Sequence, residues 1–532
     1  MKLTFDQLKD KILGCWDGKN AGGVLGAPLE GHRGVSNVEF YLQDLDGNPP
    51  PNDDLDLQIV WLSAVDKYGR QVNSHILSEY WLSYIIPDWV EYGTGKNNLR
   101  TGMLPPLTGH ISNAYRNSCG CFIRSEIWAC LCAGHPELAA RYAFEDAIVD
   151  HSEEGMYAEV FCAAIQSAAF VESDRFRLIE IGLSYIPKDC AIAKAVQIVM
   201  DSYQKGLSYL EAREILLTEL PSSFGLQFKP IAHVQDGLPL AEPGYDAPAN
   251  IGIMIIGWLY GEDDFGKSIC IAVNCGEDTD CTAATLGAIF GIIHGRSGLP
   301  KKWLDPLGDV INTCCINRLA SLYVPQTVTE LSDWVLRIIP GFLGHTYCDT
   351  LYSGDGYTLI TDPEDQLMCP KEPRFIPGIN GGGYEMGSEG GDDFVLNGNV
   401  KPKELPFAEL LQLSPYAVKF DFTTFYAVLD YHGEPTIRLN ETKTLTLSIY
   451  DSGLTCHQQW INVKIYGPEG ITIAQGKNFS APLQNTYLSK TCFQLDVTAE
   501  QILNAKTELL IDISMEGRHT YGVVKAILYA GN

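Results

Sequence analysis

The stretch 274–295, NCGEDTDCTAATLGAIFGIIHG, decides how the larger part of this chain is read, because it joins a cluster of acids directly to a run of small and apolar residues. Asp278 and Asp280 flank Thr279 at the start of that run. Two carboxylates one residue apart at a helix mouth are hard oxygen ligands of the kind Mg²⁺ or Ca²⁺ prefers. A helix N-terminus also favours negative charge with no metal present, so an isolated pair of this kind equally describes a capped helix start.

The helix itself tips the balance. Gly287, Gly291 and Gly295 recur every fourth residue with Ala284 on nearly the same face, while Leu286, Ile289, Phe290 and Ile293 supply apolar contacts. Glycine costs about 1 kcal/mol against alanine inside a helix. Three in register require a reason, and close approach of a second helix is the simplest. A second ladder, Gly14, Gly18, Gly22 and Gly26 in KILGCWDGKNAGGVLGAPLEG, supplies the expected partner. Pro28 then stops the helix and Glu30 follows in the loop, where a single glutamate is usually just solvated. Its place at the end of a small-faced helix makes it a candidate all the same.

Residues 51–65, PNDDLDLQIVWLSAV, repeat the pattern of acids ahead of an apolar helix. Asn52, Asp53 and Asp54 stand at its start and Asp56 lies one turn on, so several oxygens can converge at one helix end. Asn52 as an N-cap is the plain alternative. Two such starts in one chain, each tied to a glycine ladder, point to a shared metal site.

Composition bounds the rest. A chain of 532 residues exceeds one ordinary core, so two or three domains are expected. A formal charge of −28 argues against nucleic acid or an anionic membrane as partner. The apolar runs are too short or too glycine-broken for a membrane span, which needs about 20 residues. The 16 cysteines are scattered and show no paired zinc-ribbon spacing, so they read as small buried hydrophobes of a reducing cytosol. The N-terminus lacks a continuous apolar h-region, and a cytoplasmic protein is expected.

Between about Pro87 and Asn117 the chain loses periodicity and is rich in Gly, Pro, Asn and Ser, which predicts a long functional loop. Helix-like segments follow, CGCFIRSEIWACLCAG, HPELAARYAFEDAIVDHSEEG and MYAEVFCAAIQSAAFVES, with His151 after Asp150 at the end of the second. A lone histidine there is more often a cap or core residue than a catalyst. From 346 to 412 the sequence reads as a Gly/Pro/acid-rich connector, and Gly378 to Asp393 as its first point of proteolysis. From 413 to 532, short runs such as AVKFDFTTFYAVLDYHG, TKTLTLSIYD and TELLIDISM alternate with turn residues and predict a small antiparallel β-sandwich domain. Its aromatics could bind sugar, though strand aromatics are more often core.

In order along the chain, GVLGAPLEG, NDDLD, CGCFIRS, HPELAARYAFEDAIVDHSEEG and CGEDTDCTAATLGAIFG resemble the ADP-ribosylglycohydrolase family, over roughly residues 8–310. The resemblance implies an all-α domain, here 1–345, holding a magnesium centre of one or two ions that cleaves glycosidic bonds at C1 of ADP-ribose. Matched residue by residue, it makes Asn52, Asp53, Asp54, Asp278, Asp280 and Cys281 the metal ligands. Glu30 corresponds to an acid with a catalytic or gating role, and Asp54 is the second catalytic candidate. Gly120, Arg124 and His151, inside the matched motifs, are the substrate-binding candidates. Three positions depart from the pattern: Gly23 stands where the family has an aspartate, Asn52 replaces a hydroxyl residue, and Cys281 replaces a threonine although a thiol is a poor magnesium ligand.

The expected function is therefore magnesium-dependent hydrolysis of a glycosidic bond at C1 of an ADP-ribosyl or related ribosyl group, small or protein-attached. A glycosidase of the same fold acting on another glycoside, or a ligand-binding relative without catalysis, are the alternatives. The sequence does not specify an oligomeric state.

Overall fold

The computed structural model describes residues 1–220, 244–319, 321–344, 347–349, 356–370, 383–384, 400–401, 407–452, 458–484, 490–502 and 504–531. By internal contacts the chain divides into two compact units, Met1–Leu99 with Thr108–Cys369, and Arg100–Leu107 with Pro370–Asn532. The first is helical. The second carries antiparallel sheets.

The first unit is built around one pair of helices, Phe5–Gly26 and Thr279–Gly298. Thr4 and Gln7 close a reciprocal capping box at the start of the first, satisfying two of its free N–H groups. The two glycine ladders face each other. A Cβ at Gly14, Gly18, Gly22 or Gly26 would strike the backbone at Gly291, Gly287, Ala283 and Thr279 in turn, and one at Gly287 or Gly291 would strike Gly18 or Gly14. The helices therefore run antiparallel with their backbones in direct contact, which is why the glycines are tolerated in helix interiors. Gly295, with φ 70°, is not a third rung: it breaks the helix by a left-handed kink that only glycine adopts readily. Against this pair pack Glu154–Ala168, Ala247–Tyr260, Phe265–Asn274 and Val328–Leu343, and Asp53–Tyr68 and Glu126–Leu131 pack in turn on Val328–Leu343, with Trp16, Trp61, Trp128 and Trp258 buried.

The expected long loop at 87–117 contains a helix, Val90–Thr101. Its composition gives no helical signal, because its stability comes from tertiary contacts. Gly95 packs against Asp150, and the buried Lys96 donates to the carbonyl oxygens of Ile85 and Pro87. Within the stretch read as a connector, Cys348–Asp349 and Thr358–Ile360 join Lys2–Leu3 in a three-stranded antiparallel sheet. The first unit therefore extends to Cys369, beyond the boundary at 345 drawn from composition. Apart from Gly383–Tyr384, the segment Gly378 to Asp393 lies outside the described residues.

In the second unit two five-stranded sheets form. One runs in the order Asn478–Leu483, Gln459–Tyr466, Lys506–Met515, Tyr521–Ala530, Thr436–Ile437; the other runs Ile471–Ile473, Lys490–Ala499, Thr442–Asp451, Phe425–Asp430, Ala417–Asp421. Every pairing is antiparallel except Tyr521–Ala530 with Thr436–Ile437. Alternate residues of Gln459–Tyr466 are buried and exposed, as the strand period requires. Of the aromatics, Tyr426 and Tyr450 stack in the core with centroids 4.6 Å apart, whereas Trp460, Tyr466 and Tyr521 are exposed.

Candidate active site

The ends of the paired helices bring the acids together. Gly276 and Glu277 both adopt positive φ just before Asp278, a turn that is costly for glutamate and is held on both sides. Glu277 donates its N–H to the His32 carbonyl and accepts Arg33 Nε on its carboxylate at 3.0 Å, while Gly31 N–H donates to the Glu277 carbonyl. The Thr279 hydroxyl donates to the Gly26 carbonyl at 2.8 Å. These bonds fasten the loop carrying Glu30 to the loop carrying Asp278.

Capping separates the acids by role. Asn52 Oδ1 accepts the Asp54 N–H at 2.9 Å, so Asn52 serves as the N-cap of Asp53–Tyr68. Its amide also occupies the space a Cβ at Gly23 would need. Two of the departures from the family pattern are thus one: loss of the side chain at 23 makes room for the amide at 52. Asp278, by contrast, stands at the N-cap position of its helix and makes no capping bond. Its Oδ2 accepts from Cys119 Sγ at 2.6 Å, and its N–H donates to Asn250 Oδ1.

The carboxylates then converge. Ligand atoms of Glu30, Asp278 and Asp280 lie within 4.8 Å of one another, as do those of Asp54, Asp280 and Cys281, and those of Cys119, Asp278 and Cys281. Asp53 stands at the same helix start, its Oδ2 accepting from the Tyr92 hydroxyl at 3.3 Å. Asp56 points elsewhere, its Oδ2 accepting the N–H groups of Cys314 and Cys315. Asp54, Asp278 and Asp280 are 1%, 4% and 6% exposed, and Asp54 Oδ2, Asp278 Oδ1 and Asp280 Oδ1 each lack a hydrogen-bond donor. The positive charge close by is Lys19 Nζ, 3.5 Å from Asp54 Oδ2, and it is shared with Glu126 at 3.2 Å.

Burial first, and the neighbouring acids after it, raise Asp53 and Asp280 above the usual carboxylate range; burial likewise raises Asp54 despite Lys19. Burial, then Asp278 and Asp53, push Glu30 up to about 7, against a weak hydrogen bond from the Tyr245 hydroxyl at 3.4 Å. Glu30 is also the member of the group that reaches solvent. Asp54 lies deep beside Lys19, so of the two catalytic candidates Glu30 is the one placed to meet a substrate.

A divalent ion fits this donor set in part. Unpartnered buried carboxylate oxygens that repel one another are satisfied by a cation, and Glu30, Asp278 and Asp280 offer the all-oxygen surroundings magnesium requires. The sulfur of Cys281 does not suit it.

Of the three substrate-binding candidates, Arg124 and His151 are buried in contacts of their own, and Gly120 follows Cys119, whose thiol meets Asp278. Arg124 is fully buried and committed to Asp146 at 3.0 Å, Asp150 at 2.6 Å and the Gly120 carbonyl at 2.9 Å, with its guanidinium 5.2 Å from the Trp81 ring. Gly120 lets the Glu91 carboxylate approach its backbone. His151 is buried between Ser118 Oγ at 2.9 Å and Asp150 at 3.0 Å. Sequence reading missed Lys19, Tyr92, Cys119, Glu126 and Tyr245. Lys19 alone carried a signal: a cation beside Gly18, inside a helix whose face had to be buried.

The family model described as ADP-ribosylglycohydrolase matches residues 4–332. A curated relative, ADP-ribosylarginine hydrolase Tri1 of Serratia proteamaculans (strain 568), is 45% identical over 49 residues, which is 9% of this chain and 13% of that protein. Among solved structures, a chain titled ADP-ribosylglycohydrolase-related protein complex aligns at 18% identity with a TM-score of 0.42, covering 64% of this chain and 100% of that one. Among the described residues no helix is long and apolar enough to cross a membrane, and none of the described cysteines is paired in a disulfide.

Proposed function

This chain belongs to the ADP-ribosylglycohydrolase family, and from that premise we propose that it hydrolyses the glycosidic bond at C1 of an ADP-ribosyl group, with magnesium held by Glu30, Asp278 and Asp280. The observation that carries this reading is the set of three buried carboxylate oxygens without a donor, on Asp54, Asp278 and Asp280, beneath a glutamate at the solvent edge. A divalent ion there supplies charge stabilisation as the C1 bond breaks. Glu30 takes a proton from the attacking water as its oxygen bonds to C1; the leaving oxygen or nitrogen departs with the bonding pair and gains a proton. Without a cation, burial, Asp278 and Asp53 raise the Glu30 carboxyl to about 7, and a cation beside it would favour the carboxylate form that takes up a proton. Tyr245, donating to Glu30, orients it. Asp53 and Asp54 hold the floor of the site through Tyr92 and Lys19.

The test is release of ADP-ribose from N-linked and O-linked ADP-ribosyl substrates, with magnesium and with a chelator. Glu30→Gln is expected to stay folded and lose roughly 10²- to 10⁴-fold in turnover, the range for a missing general base. Undiminished turnover would move the role to another group. No release from any substrate with any divalent ion, while ADP-ribose still binds, would make the protein a binding relative.

A further inference from the structure

We propose that the metal centre is chemically divided: its inner half, Asp54, Asp280 and Cys281, takes a thiophilic divalent cation of the zinc class through the Cys281 sulfur, and its outer half, Glu30, Asp278 and Asp280, keeps a hard ion such as magnesium. This rests on the metal-dependent reading above and deepens it by naming the ions.

The two groups share Asp280 and differ in donor chemistry. The outer one offers oxygen alone; the inner one adds a sulfur, with the three ligand atoms of each within 4.8 Å of one another. Cys281 follows Asp280 in the first turn of its helix, buried, with Sγ 3.8 Å from Asp54 Oδ1. A second thiol, Cys119, stands beside it, and its sulfur joins Cys281 and Asp278 in a third group of the same spread. A cysteine acting as a small hydrophobe belongs among apolar neighbours, whereas these two face Asp54 and Asp278. Zinc bonds sulfur at about 2.3 Å and carboxylate oxygen at about 2.0–2.2 Å, which places its ligand atoms roughly 3.5 Å apart. The inner group is within a side-chain adjustment of that spacing.

Charge points the same way. Asp54 Oδ2 and Asp280 Oδ1 are buried without a hydrogen-bond donor. Lys19 reaches Asp54 at 3.5 Å and Glu126 at 3.2 Å, so one positive charge is shared between two buried acids and Asp280 is left outside that pair. Magnesium would have to accept a sulfur in place of the hydroxyl oxygen expected at position 281, which hard ions avoid. Zinc gains from the same exchange.

The experiment loads metal-stripped full-length protein with Co²⁺, a zinc surrogate whose bond to thiolate gives an intense near-ultraviolet absorption, in excess Mg²⁺ and without substrate. Wild type should show that absorption at one equivalent of cobalt, lost on adding zinc and unaffected by more magnesium. Cys281→Thr, which restores an oxygen donor, should lose the band and bind zinc at least tenfold more weakly, while its melting temperature still rises with magnesium. Cys281→Ser serves as the second variant, and near-ultraviolet circular dichroism checks the fold of both. Absence of the band in wild type, its persistence in both Cys281 variants, or displacement of cobalt by magnesium would each overturn the proposal. Should neither variant fold, the competition in wild type still decides. A spectrum as expected, with no ADP-ribosyl substrate cleaved, would sink the hydrolase reading and leave the ion assignment standing.

Discussion

Two clusters of buried acids lie in the helical unit, and the chain treats them differently. Around Arg124 stand Asp146, Asp150 and, 3.9 Å away, Glu159. The guanidinium pairs closely with two of the three, Trp128 donates to Asp146 at 2.9 Å, and burial and Asp146 raise Glu159 well above its ordinary value. The cation comes from the protein, although both Glu159 oxygens are without a hydrogen-bond partner. Around Asp280 stand Asp54, Asp278 and Glu30, with a lysine at one edge that is already shared and three oxygens that no donor meets. A fold can bury acids for its own sake, and the Arg124 cluster is what that looks like. The Asp280 cluster has one lysine, shared with Glu126, against four acids, where the Arg124 cluster has a guanidinium of its own, and that deficit is the signature of a group held for something that binds.

The largest expected effect breaks the first cluster. Arg124→Met leaves Asp146 and Asp150 buried without their cation, and removing one partner of a buried ion pair costs roughly 3–5 kcal/mol. Urea unfolding should show that loss, and added magnesium should not recover it. Recovery by magnesium would mean that the two clusters are interchangeable.

Next in size is the response of the second cluster to its ion. A ligand binding only the folded state stabilises by about 2.7 kcal/mol at one hundred times its Kd. Wild-type protein should gain melting temperature with magnesium, whereas Asp280→Asn should start more stable in chelator, having lost a like charge, and gain far less. A metal-free Asp280→Asn that melts lower than wild type would show that these acids are structural.

Asp280 and its helix were also what the sequence made most legible. The facing glycine ladders made the pairing of the two long helices legible, because small residues at fixed spacing leave few ways to pack a helix, and the order of the family's acidic motifs joined Asp54 to Asp278 and Asp280. The strand runs from Ala417 onward were readable for the same reason, as their period is fixed by the pleat. The surroundings of Arg124 and His151 were not legible, because a polar residue in a family motif looks identical whether it faces a substrate or, as these do, buried side chains of the same domain. Val90–Thr101 was hidden, since Gly93, Gly95, Asn97 and Asn98 argue for a loop and only the packing of Gly95 on Asp150 and the reach of Lys96 to the 85–87 carbonyls make it a helix. Asn52 was ambiguous between cap and ligand until its hydrogen bond was seen.

The buried acids should also answer pH, and they do so with both signs: Asp146 and Glu159 of the Arg124 cluster are raised by burial like Asp54 and Asp280, and Asp150 is lowered. In metal-free protein Asp53, Asp54 and Asp280 are held above the ordinary value of 3.8, and Glu30 is raised from 4.5 to about 7. The native state therefore binds more protons than the unfolded chain from about pH 4 to 7, and stability falls as pH rises through that window. Asp150 behaves the other way: although burial alone would raise it, Arg124 and His151 hold it below 3.8, so its contribution is present above that value and lost as pH falls further. Saturating magnesium displaces the first cluster's protons, so the slope of melting temperature between pH 5 and 7 should flatten. An identical slope with and without magnesium would separate the ion from these acids.

The smallest effect concerns the residue that stands between the clusters. The Trp81 ring lies 5.2 Å from the Arg124 guanidinium on one side and 5.0 Å from the Tyr92 ring on the other, and Tyr92 donates its hydroxyl to Asp53 at 3.3 Å. Tyr92→Phe keeps the ring contact with Trp81 and removes only the donor, so it acts on the metal cluster and leaves the Arg124 cluster as it was. One hydrogen bond contributes about 0.5–1.5 kcal/mol net, and a loss of that size is expected in metal-free protein at neutral pH. If the loss runs through Asp53, it should shrink toward zero in an Asp53→Ala background, where the hydroxyl has no carboxylate to meet, because coupled neighbours are not additive. A full-sized loss in that background would mean that the hydroxyl works through the ring stack, and that Tyr92 belongs with Trp81 and Arg124 instead of with the site.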